Sequence, residues 1–144
     1  MASNTVTESK RPLLIEHDIE IRTYDIDGLG HVSNISYLRW MEDMRLRLFD
    51  RHFPFEEFIK EGISPVVAST FIQYKKPIKL FDRPRCYMWM SKLGNASFAV
   101  GAEIMLDGLV ATEVEHVGVF IDLASGKPVR VPKRVIEAYR ATNG

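Results

Sequence analysis

The chain has 144 residues, 46% hydrophobic and 26% charged, which suits one domain with its own core and excludes both a disordered polymer and two ordinary domains. Nineteen lysines and arginines balance nineteen aspartates and glutamates, so no net field draws the protein to nucleic acid or to an anionic membrane. The single cysteine, Cys86, can form neither an internal disulfide nor, alone, a thiolate metal site, and it reads as a small core residue of a cytoplasmic protein.

Residues 1–12 are polar and lack an apolar stretch of the signal-sequence kind, so a flexible tail is expected ahead of a single domain over residues 13–144. No run approaches the roughly 18 apolar residues that cross a bilayer, and no membrane span is expected. Over residues 13–24 an apolar triplet gives way to alternation, with Ile19 and Ile21 on one side and Glu20 and Arg22 on the other, which predicts a first strand. After a turn at residues 27–31, Ile35, Leu38, Met41, Met44, Leu48 and Phe49 recur at three- and four-residue steps between charged residues. This is an amphipathic helix of about four to five turns ending near Asp50, with Tyr37 and Trp40 on its wide apolar face.

The segment from His52 to Ile59 carries three phenylalanines and Pro54. It should close the helix, start a short second turn or helix, and cover one end of the core. From Gly62 the pattern changes to strands, over residues 63–75, 85–93, 98–106 and 110–121, punctuated by Lys76-Pro77, by Arg83-Pro84 and by the hairpin signals Gly94-Asn95 and Asp107-Gly108. Pro132 opens a short helix over residues 133–140. The order predicts one long helix and four strands in meander after the first. One helix cannot cover both faces of such a sheet, which favours a homo-oligomer.

The chemistry-bearing stretch is Asp25-Ile26-Asp27-Gly28-Leu29-Gly30-His31-Val32-Ser33-Asn34, between the first strand and the long helix. Glycines let backbone approach a ligand, and the helix start presents unpaired N–H groups that can hold an oxyanion. Asp27 then offers a carboxylate as base or nucleophile toward the carbonyl those donors polarise. Asp25 and Asp27 equally suit turn and capping roles, and those roles explain Asp25, Asp27 and His31 without a metal.

On these residues the chain resembles the 4-hydroxybenzoyl-CoA thioesterase-like group of hotdog-fold acyl-CoA thioesterases. The resemblance spans about residues 19–132. It is sharpest from Tyr24 to Asn34 and over Tyr37-Leu38-Arg39-Trp40-Met41-Glu42, and it returns in Lys92-Leu93-Gly94-Asn95-Ala96-Ser97-Phe98 and in Gly126-Lys127-Pro128-Val129-Arg130-Val131-Pro132. It implies an α+β hotdog fold, a five-stranded antiparallel sheet wrapped around one long helix, with two chains joined edge to edge as a homodimer or a dimer of dimers and sites at their interface. It implies acyl-CoA as substrate, Asp27 as nucleophile or general base, and Gly30, His31, Asn34 and Tyr37 around the oxyanion and substrate; no metal or redox cofactor is required. Ser33 stands where many relatives have asparagine. Gly94 and Asn95 stand where the archetype carries paired arginines, so coenzyme A contacts are expected from Lys92, Asn95, Ser97, Lys127 and Arg130. Two other functions remain: an acyl-CoA or acyl-carrier-protein binding module without turnover, and an enoyl-CoA hydratase using Asp27 and His31. Against the hydratase, Gly28-Leu29-Gly30 replaces the Asn-Pro spacing associated with those enzymes.

Overall fold

A computed structural model describes residues 11–143. The elements are β1 (Ile15–Asp18), α1 (Asn34–His52), α2 (Phe55–Lys60), β2 (Ile63–Tyr74), β3 (Arg85–Leu93), β4 (Phe98–Leu106), β5 (Leu109–Asp122), β6 (Pro128–Val129) and α3 (Lys133–Asn143). The strands form one antiparallel sheet of six strands rather than five, in the order β1-β3-β4-β5-β2, with β6 pairing the end of β5. The extra strand is a two-residue pair that no periodicity signals.

Two expectations change with this order. The meander is confined to β3, β4 and β5, because β2 pairs with β5 and β1 takes the free side of β3. The hairpin turns stay local: Asp107 (φ +54°) and Gly108 (φ +79°) are both left-handed, the geometry of a two-residue turn. Between β2 and β3, by contrast, residues 75–84 carry two prolines and cross to the far side of the sheet. The first strand is also shorter than residues 13–24. Ile19 N still donates to the Pro84 carbonyl (3.0 Å), but Pro84 has no N–H to return, so the ladder stops and the chain turns through a 3₁₀ segment at Thr23–Asp25.

Residues 1–10 of the expected tail lie outside the described residues. Arg11 and Pro12, assigned to the same tail, are held on the sheet. The Arg11 guanidinium lies 3.9 Å over the Trp89 ring and pairs with Glu103 at 2.9 Å, while Met90 N donates to the Pro12 carbonyl at 2.9 Å.

The apolar stripe of α1 lies on the inner face of the sheet. Met41, Met44, Leu48 and Phe49 pack with Met88, Met90, Val100, Ile104 and Phe120. At the carboxyl end of α1 the phenylalanines close the core as expected, with Phe58 5.2 Å from Phe120 and Phe49 6.0 Å from Phe98 between ring centroids. Cys86 is fully buried, and burial pushes its thiol up to about 12. Among the described residues no helix is long and apolar enough to cross a membrane.

Gly118 on β5 lies under the Phe98 ring, where an added Cβ would come within 2.3 Å of it. Gly118→Ala should therefore lower the unfolding free energy by about 1–3 kcal/mol in a urea titration, through overpacking.

Candidate active site

Residues 25–33 form a narrow antiparallel loop. Ile26 bridges Val32, Asp27 N donates to the His31 carbonyl (2.8 Å), and Ser33 N donates to the Asp25 carbonyl (2.8 Å). Val32 and Ile26 pack on the core, so alternation carries Asp27, His31 and Ser33 to the other side. The loop leans on the β2–β3 connection, where Val32 N donates to the Ile78 carbonyl (2.9 Å) and His31 bridges Lys79.

Asp27 is exposed at the tip. Its Oδ1 accepts from Leu29 N (2.8 Å) and His31 N (3.2 Å), an Asx turn that fixes the side chain, and its Oδ2 has no partner among the described residues. Gly30 N donates to the Asp27 carbonyl (3.1 Å) with φ at +83°, a conformation that glycine adopts without strain. The Gly30 and His31 amides are thus engaged in shaping the loop.

Asp25 is 3% exposed and ties three pieces of chain together. Its Oδ2 accepts from Arg22 N (2.8 Å) and its Oδ1 from the Ser36 hydroxyl (2.7 Å), while the Ser33 hydroxyl lies 3.2 Å from that of Ser36. Ser33 is the N-cap of α1, yet its side chain makes no capping bond. The first amides of a helix have no partner inside it, so those of Asn34 and Ile35 face outward from two exposed residues at the positive end of the helix dipole.

Tyr37 stands behind this surface. It is 3% exposed, edge-on to Trp40 (5.3 Å) and Tyr74 (4.9 Å), and burial pushes its phenol above the ordinary range. The residues expected to meet coenzyme A gather elsewhere. Lys92, Asn95 and Ser97 belong to the exposed β3–β4 hairpin, Arg130 is drawn beside it by the bond from Val131 N to the Asn95 carbonyl (2.8 Å), and Lys127 follows the turn after β5. The nine residues of β4 separate that end of the sheet from the Asp27 end by roughly 30 Å at the usual rise per residue. One chain therefore does not bring the two groups together.

Two clefts flank α1, and Asp27 lines neither. One of about 720 Å³ runs between residues 17–25 and α1, with Trp40 and Met44 among its lining and Arg22, Arg39 and Arg47 beside them. The other, of about 450 Å³, lies between α1 and the start of β2, against Leu46, Phe49, Phe55, Val67 and Phe98. Among the described residues no group of three or more His, Cys, Asp or Glu is placed to hold a metal ion.

A sequence family described as the thioesterase-like superfamily matches residues 21–139. The chain belongs to this thioesterase-like superfamily. A putative acyl-CoA thioesterase of Bacillus subtilis, YneP, is 27% identical over 118 residues, covering 81% of this chain and 86% of that protein. A DHNA-CoA thioesterase from Staphylococcus aureus superposes with a TM-score of 0.82 at 25% identity, covering 89% of each chain. A Thermus thermophilus thioesterase complexed with coenzyme A and Zn gives 0.79 at 28% identity, covering 94% of this chain and 97% of that one. The thioesterase fold here is the hotdog fold, and its class of reaction is thioester hydrolysis.

One cluster of this thioesterase has no local sequence signal. Arg45 Nη1 lies 3.1 Å from His116 Nε2, and His116 Nδ1 lies 2.8 Å from the Thr70 hydroxyl, joining α1 to β5 and β2. Only the alternation of β5, which turns Val114, His116, Gly118 and Phe120 inward, points to it. Arginine can only donate, so Nε2 accepts, Nδ1 carries the proton, and the imidazole is neutral. Burial, and then the Arg45 charge, push His116 from its ordinary 6.5 down to about 4. The unfolded chain therefore takes up a proton that the folded chain refuses, so the stabilisation present above 6.5 is lost as pH falls from 6.5 toward 4. Between pH 7 and pH 5 the wild type should lose about 2 kcal/mol more stability than His116→Gln, read from urea midpoints at the two values.

Proposed function

We propose that this thioesterase hydrolyses acyl-CoA thioesters to the free acid and coenzyme A at the Asp27 loop, with Asp27 as general base or nucleophile and the amides of Asn34 and Ile35 as the oxyanion site. The observation that carries this reading is the uncapped start of α1, set beside a carboxylate that one edge of an Asx turn holds in place. Addition to the thioester carbonyl builds an oxyanion, which needs donors already in position. Collapse breaks the C–S bond, and the coenzyme A thiolate leaves without a strong acid. The buried, weakly acidic thiol of Cys86 suits work in a reducing cytoplasm.

Two copies of the chain form the working unit, paired along β2. That strand is the twelve-residue edge of the sheet, and its residues 66–74 contain neither charge nor proline, the devices that normally protect an edge. Val67, Phe71 and Tyr74 are exposed along it. Antiparallel pairing of β2 with its copy sets the start of the strand in one chain against its end in the other. It thereby carries Lys92, Asn95, Ser97, Lys127 and Arg130 of one copy toward the Asp27 loop of its partner. The coenzyme A bound by the Thermus thioesterase supports this ligand, and the oxyanion and nucleotide ends of the site would then lie on different chains.

Free-thiol release from hexanoyl-, palmitoyl- and benzoyl-CoA, compared between wild type and Asp27→Asn, tests the reaction. The wild type should release coenzyme A from at least one, and a folded Asp27→Asn variant should be slower by a factor of about 100 or more; full activity in that variant would remove Asp27 from the chemistry. A Val67→Lys, Phe71→Lys double variant should sediment as a monomer and lose hydrolysis. A fully active monomer would show that one chain holds a complete site.

A further inference from the structure

Two neighbouring turns at the Asp27 end of the sheet are built alike. Residues 27–30 close with Gly30 N donating to the Asp27 carbonyl (3.1 Å), and residues 79–82 close with Asp82 N donating to the Lys79 carbonyl (3.0 Å). In each, an aspartate side chain accepts an amide of its own turn: Asp27 Oδ1 from Leu29 N and Asp82 Oδ2 from Lys79 N, both at 2.8 Å. The third residue of each turn is large and apolar, Leu29 in one and Phe81 in the other, and these are 81% and 91% exposed. His31 bridges Lys79 in antiparallel sense, and Val32 N donates to the Ile78 carbonyl (2.9 Å), so both turns lie on the same side of the bridge. Turn corners usually carry Gly, Asn, Asp, Ser or Pro. Here two braced corners hold out the most exposed large hydrophobic side chains among the described residues.

The charge beside them is one-sided. Residues 75–85 carry Lys75, Lys76, Lys79, Arg83 and Arg85 against Asp82 alone. Glu113 pairs with Lys75, and Glu16 and Asp18 pair with Arg85, which leaves Lys76, Lys79 and Arg83 without an ion pair among the described residues. The balanced charge of the whole chain hides this local excess. An apolar pair flanked by long cations is complementary to an anionic lipid surface, where apolar side chains enter the boundary between headgroups and acyl chains while lysine and arginine reach the phosphates. We propose that these paired turns dock the protein on an anionic bilayer, with Leu29 and Phe81 inserted and Lys76, Lys79 and Arg83 on the headgroups. An acidic carrier protein fits less well, because its pantetheine arm keeps the protein an arm's length from the thioester, whereas these turns adjoin Asp27 itself. Docking here sets the Asp27 loop against the phase in which long acyl chains dissolve, so the acyl thioesters it favours are those that partition into a membrane.

Co-sedimentation with vesicles of phosphatidylcholine and phosphatidylserine reads docking without any turnover, so its failure and a failure of hydrolysis are separate results. The wild type should pellet with these vesicles, far less with phosphatidylcholine alone, and should be released when salt rises from about 0.1 M to about 1 M. Lys76→Gln and Arg83→Gln should each weaken binding about fivefold, and Phe81→Ser about tenfold or more. Phe81→Ser should keep its sedimentation coefficient and its rate on hexanoyl-CoA without vesicles. Phe81→Trp should gain a blue-shifted emission with anionic vesicles that the wild type does not show. A wild type that stays in solution, or variants that pellet as the wild type does, would overturn the proposal. So would a patch that proves to belong to another partner: an acyl carrier protein bound by the wild type and not by Phe81→Ser, in the absence of vesicle binding, or a Phe81→Ser variant that dissociates to a smaller species.

Discussion

The buried carboxylate of Asp25 is the tie on which the site depends. A carboxylate out of water is costly unless its lone pairs are satisfied, and here a backbone amide from before the loop and a hydroxyl from inside the helix satisfy them. The approach of residues 19–24, the loop and the first turn of α1 are held as one piece in consequence. Asp27, two residues on, inherits its position relative to the helix amides from that tie. It is kept from rotating by accepting from Leu29 and His31. Removing the Asp25 charge would release the ends of the loop, whereas removing the Asp27 charge would leave the backbone frame of the loop in place, because Asp27 N and O are paired independently of its side chain.

Strand order sets the second constraint. With β1 on one edge and β2 on the other, α1 covers the middle of the sheet and leaves the inner face of β2 partly bare, so that Val67, Thr70 and Tyr74 stand beside the helix with room for a further element. The Arg45–His116–Thr70 chain fastens α1 to this edge with neutral imidazole at its centre. The same order puts the basic hairpin end and the acidic loop end at opposite tips of one sheet. On the proposed reading, a ligand as long as an acyl-CoA engages both when a second copy reverses the direction of the strands.

Much of this was legible in local pattern. The long helix followed from apolar spacing, the hairpins from Gly94-Asn95 and Asp107-Gly108, and the loop from two glycines and two acids placed between strand and helix. What failed to show was non-local. The end of β1 is set by Pro84, sixty-odd residues away in sequence and opposite in the ladder. The place of β2 at the edge depends on a crossover that no turn signal encodes, and the pairing of Arg45 with His116 joins residues 71 positions apart. Tyr37 illustrates a different limit, since an aromatic in the first turn of a helix reads alike whether it lines a ligand or seals the core, and here it is enclosed by Trp40 and Tyr74. The chain from Ser33 through Ser36 to Asp25 has no local signal, and only the folded loop turns those hydroxyls toward the carboxylate.

A crystal structure of the full chain with the unreactive thioether analogue of benzoyl-CoA is the most direct test of a site shared between two copies. The carbonyl-mimicking end should lie at the Asn34 and Ile35 amides of one copy, beside Asp27, with the nucleotide against Lys92 or Arg130 of the other. An analogue bound wholly within one chain, or seated in the cleft between residues 17–25 and α1, would contradict it.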